Sequence, residues 1–157
     1  IMLTLKGPAV SEQGLHTVLH LAQERHPILR TKINVKKSGN VSWEEDLELR
    51  IPVLKTASKD ITAVYKEALK RPLRDGNGLF RVILSEDVEE ITDDGSLITN
   101  IIFLCDHCGC DGISFNLVVN EIMLGLSDIN TLKHLPKLPA SEGVEAIGRK
   151  VIGNISI

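Results

Sequence analysis

The chain has no excess of positive charge, no apolar run long enough to cross a bilayer and no cysteine outside one short stretch, and each absence removes a class of function. Its 18 Lys and Arg stand against 21 Asp and Glu, for a net charge of −3 and a pI near 6.0. No basic field gathers phosphate backbones, so nucleic acid is not an expected partner. No segment reaches the roughly 20 apolar residues of a membrane-spanning helix, and no secretory signal is visible. Cys105, Cys108 and Cys110 form an odd, crowded set that cannot frame a disulfide-stapled fold and favours a reducing compartment. The expected setting is cytoplasmic.

What is present is the composition of a globular domain, 43% apolar and 25% charged over 157 residues. A chain of this size buries about two thirds of its unfolded surface, so neither metal nor disulfide is required to hold it. Residues 2–6 alternate around Leu3 and Leu5 as a short strand ended by Gly7-Pro8. Ser11 then caps a helix with the core face Leu15, Val18, Leu19 and Ala22, and Pro27 stops it near His26. Residues 31–35 and 41–43 read as a hairpin turned by Ser38-Gly39-Asn40. Leu47, Leu49, Ile51 and Val53 alternate like a further strand, which Pro52 either confines to an edge or demotes. Ser58 or Asp60 caps a second helix whose core face is Ile61, Val64, Tyr65, Ala68 and Leu69. Strands over 79–84 and 97–104 follow, and the acidic loop between them lacks the ligand spacing of a calcium site and reads as solvated. The run 113–126 makes a third helix. No internal repeat or βαβ regularity appears. The expected class is therefore α+β, a mixed, largely antiparallel sheet with about three helices packed on it.

Between the last two apolar runs lies Cys105-Asp106-His107-Cys108-Gly109-Cys110-Asp111-Gly112. A buried strand that feeds a polar turn and opens a helix brings such groups to a surface or cleft, where chemistry is usually mounted. His107 suits a general base, because an imidazole titrating near neutrality is largely unprotonated and still competent to take a proton. Asp111 can be read as orienting that imidazole, or as fixing the turn through a partner cation. Cys105, His107, Cys108 and Cys110 are four possible zinc ligands, but they crowd into six residues, whereas closed zinc sites join ligand pairs from separate segments. A nucleophilic cysteine beside a histidine is the other chemistry open to this stretch, against small cysteines that simply fill a core. His16 and His20, at i and i+4 on the first helix, have no third ligand nearby and read as an exposed helix face.

The pattern His107-x-x-x-Asp111-Gly112 at a strand-to-helix junction resembles the active-site motif of the chloramphenicol acetyltransferase-like superfamily. That superfamily includes coenzyme A-dependent acyltransferases, alcohol acetyltransferases and the condensation domains of nonribosomal peptide synthetases. Two more segments match in order. Arg25-His26-Pro27-Ile28-Leu29-Arg30-Thr31 is similar to a stretch near the start of these enzymes, and Arg71-Pro72-Leu73 through Asn77-Gly78-Leu79-Phe80-Arg81-Val82 to the segment before a central strand. The resemblance covers residues 2–126 and implies that His107 is the general base for acyl transfer from a thioester to a hydroxyl or amine. It implies that Asp111 is structural and pairs with an arginine, Arg30 first and Arg81 second, and that Gly112, with Gly109, lets the backbone turn tightly. Many relatives carry two consecutive histidines. Here Asp106 takes the first position, which favours acyl-coenzyme A over acyl-phosphopantetheine as donor and sets beside His107 a carboxylate that can raise its pKa.

Enzymes of this superfamily have two lobes, with the active site in the tunnel between them. Residues 1–126 correspond to the first lobe and 127–157 to a linker or crossover segment toward the second, since Lys133, Pro136, Lys137 and Pro139 fall in a stretch without sustained period. Nothing matches the Asp-Phe-Gly-Trp-Gly-like motif of the second lobe and the sequence begins at Ile1, so it reads as a fragment, a separately expressed domain or an incomplete gene. One lobe alone is not expected to be active or to bind a cofactor. Acyl-coenzyme A or acyl-phosphopantetheine would be the cosubstrate of the parent enzyme, and a small acyl acceptor its other substrate. The face turned toward the absent lobe is expected to be covered by that lobe or by self-association. The alternatives are a condensation domain of a peptide synthetase, or a noncatalytic half-fold that binds or scaffolds.

Overall fold

Two buried strands rich in aliphatic residues set the centre of the molecule, with helices packed on both of their faces. The computed structural model describes residues 1–35, 41–71, 73, 78–86 and 96–136. In chain order its elements are β1 (Met2–Gly7), α1 (Glu12–Arg25), a 3-10 turn (Pro27–Arg30), β2 (Thr31–Val35), β3 (Val41–Glu45), β4 (Val53–Thr56), α2 (Ile61–Leu69), β5 (Phe80–Ser85), β6 (Leu97–Cys105), α3 (Gly112–Ser127) and α4 (Ile129–His134). The main sheet has the order β1-β6-β5-β4, while β2 and β3 form a separate hairpin. β6 pairs antiparallel with β1 and β5, and β4 joins parallel to β5, so the sheet is mixed and largely antiparallel.

Strand alternation divides the core in two. Phe80, Val82 and Leu84 of β5, with Ile101 and Phe103 of β6, face α1, α3 and α4 in the larger cluster. Ile83, Ile102 and Leu104 face α2 in the smaller one. Both central strands are buried on two sides, which is why residues 82–84 and 101–104 run apolar. α1 is seated as expected: Ser11 Oγ accepts from the Gly14 amide at 3.0 Å, and Leu15, Val18, Leu19 and Ala22 are all at most 2% exposed. Asp60 caps α2 through the Ala63 amide at 2.9 Å.

The elements depart from the sequence reading at three places. Residues 47–52 are not a strand, because their backbone is committed locally. Asp46 takes the Glu48 amide with its carboxylate and the Leu49 amide with its carbonyl, and buried Gln23 donates to the carbonyls of Leu29 and Leu49. Only Val53–Thr56 pairs, at the sheet edge that Pro52 requires. Leu69, assigned to the core face of α2, is 60% exposed at its last turn. The stretch after α3, read as an irregular linker, opens with α4, capped by Asp128 and anchored by Leu132, 4% exposed. The hairpin turn at 38–40, most of the acidic loop and residues 137–157 lie outside the described residues.

Among the described glycines, Gly78 and Gly125 bear on how the elements close together. Gly78 has φ +77°, and a Cβ there would lie 2.7 Å from Leu49 Cδ2. At Gly125 a Cβ would meet Val18 Cγ1 at 2.9 Å and Leu132 Cδ2 at 2.8 Å, so the missing side chain is what lets α3 close on α1 and α4.

Candidate functional site

Where β6 leaves the sheet, three hydrogen bonds fold the chain into a fixed turn. The Asp106 amide donates to the Leu79 carbonyl at 2.9 Å, which holds the strand end against the start of β5. The Gly109 amide donates to the Asp106 carbonyl at 2.8 Å, and the Cys108 amide to the Asp106 carboxylate at 3.1 Å. Asp106 therefore braces the turn, and His107 stands exposed at its apex. α3 begins immediately beyond, with Asp111 as its cap, accepting from the Ser114 amide at 2.7 Å. The exposed helix-end amides, Ser114 first, hold the Asp111 carboxyl below its ordinary range, and the nearby His107 adds to the effect.

The arginine expected to pair with Asp111 is engaged elsewhere. Arg30 ends the 3-10 turn and leads into β2, where hairpin register sets Thr31 opposite Glu45. Its Nε donates to Glu45 at 2.7 Å and its Nη1 to the Gln23 carbonyl. Asp111 has no need of a guanidinium, because the helix N-terminus already satisfies it. Arg81 sits on the α2 side of the sheet, opposite the face that carries α3. The glycine assignment shifts as well: at Gly109 a Cβ would press on Leu79 Cδ1 at 3.0 Å, whereas at Gly112 it would meet nothing within 4 Å. Gly109 is the tight point of the turn, and Gly112 lines an open depression beside it.

Cys105 and Cys110 close the base of the turn and pack on the main core, and the Cys105 thiol donates to the Asp106 carbonyl at 3.1 Å. Burial pushes the Cys105 thiol far above its ordinary value, and the Cys110 contact adds to the rise. Burial also raises Cys110, against an opposing pull from Cys105. Thiols held protonated are poor nucleophiles, so their environment is that of core cysteines. Among the described residues no three His, Cys, Asp or Glu side chains gather as a metal cluster. His16 and His20 lean apart, toward Glu12 at 3.8 Å and Glu24 at 3.5 Å.

Two features of the site were not read from the sequence. Glu121, in the middle of α3, takes Arg25 Nε at 2.8 Å and lies 2.7 Å from His26 Nε2, with all three side chains at most 18% exposed. The segment around His26 is thus a clasp between α1 and α3. The only sequence signal was a lone Glu in an otherwise uncharged apolar run. The second feature is the outer face of α3. Its inner face buries Val118, Val119 and Ile122, and Phe115 meets Phe80 edge to face at 6.1 Å. Ile113, Leu117 and Leu124 are nevertheless 75%, 60% and 41% exposed. With Asn116 and Asn120 they make one stripe, beginning beside Asp111 and bordering the depression.

No family model matches the sequence, and no curated protein matches it. Solved structures do. The starter condensation domain of the rhizomide synthetase RzmA matches 98% of this chain with 37% of its own, at a TM-score of 0.57 and 13% identity. Polyketide synthase associated protein 5 from Mycobacterium tuberculosis matches 96% of the chain with 34% of its own, at 0.53 and 18%. The condensation domain of the Monacolin K polyketide synthase MokA matches 86% with 29% of its own, at 0.53 and 10%. Likeness at these identities defines the fold. The chain has the fold of one lobe of these condensation domains. It spans about a third of the length of these solved chains. No helix among the described residues is long and apolar enough to cross a membrane.

Proposed function

We propose that this lobe carries the general base of a condensation-type acyltransferase, which moves an acyl group from a phosphopantetheine thioester to an amine or hydroxyl. The observation that carries the reading is the position of His107: exposed, at the apex of a braced turn, four residues before Asp111, which lines a depression bordered by the exposed Ile113 and Leu117. Condensation domains among the similar structures support a carrier-bound donor over free acyl-coenzyme A, the donor favoured by the missing first histidine.

In this reading a ring nitrogen of His107 accepts the acceptor's proton as its nitrogen or oxygen attacks the thioester carbonyl. The tetrahedral adduct collapses by breaking the carbon–sulfur bond. The departing thiolate takes the proton back from the imidazolium, leaving an amide or ester and a free thiol. Asp111 fixes the first turn of α3, and a side chain at Gly112 would meet nothing within 4 Å. The second wall of such a site is the role assigned to another lobe, seated on the α3 stripe.

The test is acyl transfer by the full natural protein, with an acylated carrier protein and acyl-coenzyme A offered in parallel. His107→Ala is expected to lower the rate by about 10²–10⁴-fold, with the carrier-bound donor the better one. A variant that transfers as fast as the parent sinks the general-base reading, and a protein without any transfer activity favours the noncatalytic scaffold.

A further inference from the structure

Cys105 and Cys110 stand on either side of the turn that presents His107, and both return to the same face of the sheet. Cys105 is the last residue of β6, in register with Phe80. Strand alternation sets its side chain in the row of Ile101 and Phe103, on the face that α3 covers. The chain then leaves as the turn 106–109, closed by the Gly109 amide on the Asp106 carbonyl at 2.8 Å. Such a turn brings its two ends within about 7 Å of each other. Cys110 is the next residue, and it packs on the same core cluster as Cys105.

Two cysteines that flank a closed turn and share a face meet the main demand of a disulfide, which is Cα atoms roughly 4.4–6.8 Å apart with converging side chains. Their thiols also act on each other: after burial, the strongest influence on Cys105 is Cys110, and on Cys110 it is Cys105. Cys108, the third cysteine, is exposed in the turn itself.

We propose that Cys105 and Cys110 are a redox-active pair, the site of a reversible intramolecular disulfide that ties the end of β6 to the residue before the cap of α3. The oxidant is a small-molecule disulfide. The Cys110 thiolate attacks one of its sulfurs, forming a mixed disulfide and releasing one thiolate. Cys105 then gives up its proton and attacks the Cys110 sulfur, which releases the second. The two protein thiols lose two electrons, the sulfur–sulfur bond of the oxidant takes them up, and the two protons end on the released thiols. Cys110 is the attacking sulfur because the Cys105 thiol favours its thiolate, whereas the thiolate of Cys105 is opposed by burial and by Cys110 alike. Burial outweighs that help at Cys110, so the exchange is slower than at an exposed thiol. The pair does not depend on the acyl-transfer reading.

The test is incubation of the folded 157-residue chain in a buffer of glutathione disulfide and glutathione, followed by alkylation and mass spectrometry. Cleavage before each aspartate separates Cys105 from Cys108 and Cys110. Residues 106–110 are expected joined to the peptide that ends at Cys105, with Cys108 left outside the cross-link, and dithiothreitol should part them. Cys108→Ser, at an exposed position, is expected to cross-link as the parent does. Cys110→Ala is the second variant, expected to lose the cross-link and read only where its fold is retained. The proposal fails if folded Cys108→Ser forms no cross-link, if it forms one only in denaturant, or if the cross-link of the parent runs through Cys108.

Discussion

Glu121 is the residue on which the seating of α3 turns. Burial pushes its carboxyl up, but hydrogen bonds from Arg25 and His26 outweigh this and hold it below its ordinary 4.5. A carboxyl depressed in the folded state stabilises the protein fully above its unfolded value, and that stabilisation is lost as pH falls through the folded one. Glu121→Gln is therefore expected to cost about 2–4 kcal/mol near neutral pH. The gap in melting temperature between parent and variant should narrow as pH drops below 4.5, and a gap independent of pH would contradict the clasp. The glycines at the two ends of α3 should respond in opposite directions. Gly125→Ala forces a methyl between Val18 and Leu132, an overpacking cost of about 1–3 kcal/mol that the roughly 1 kcal/mol gain in helix propensity only partly offsets. Gly112→Ala meets open space and should melt no lower than the parent. Lower transfer activity in that variant would then report crowding of the approach to His107, since its fold is unchanged.

At the scale of elements, legibility in the sequence followed how local each interaction is. The central strands and the core face and Ser11 cap of α1 could all be read, because their signals are runs, periods and caps within a few residues, whereas the capping role of Asp111 was not. The pairing of Arg30 could not, since Glu45 reaches it only through the register of the β2–β3 hairpin. Nor could the clasp, whose partners His26 and Glu121 are 95 positions apart. Residues 47–52 misled because a true alternation was overridden by Gln23, whose side chain takes a carbonyl there. α4, with six residues, is too short to establish a period. Its Leu132 nonetheless packs into the main core. Leu132→Ala is expected to cost about 2–4 kcal/mol, which thermal unfolding would register as a drop of several degrees; an unchanged melt would mean that α4 is an appendage after all.

The whole molecule is asymmetric in how it finishes its surfaces. The inner side of α3 is packed as tightly as a domain interior, while its outer side carries Ile113, Leu117 and Leu124 in the open, beside the turn that presents His107. The chain spans about a third of the length of the solved chains it matches, and its stripe lies exposed along one helix. Apolar stripes of this kind favour association, and a stripe on one helix favours a two-fold arrangement in which each copy covers the other. The 157-residue chain is therefore expected to form a concentration-dependent dimer in light scattering. A paired Ile113→Asp and Leu117→Asp substitution should return it to a monomer without lowering its melting temperature, since neither side chain contributes to the core. If the parent chain stays monomeric at high concentration, the stripe is not an interface in need of cover, and the case for a second lobe seated on α3 weakens with it.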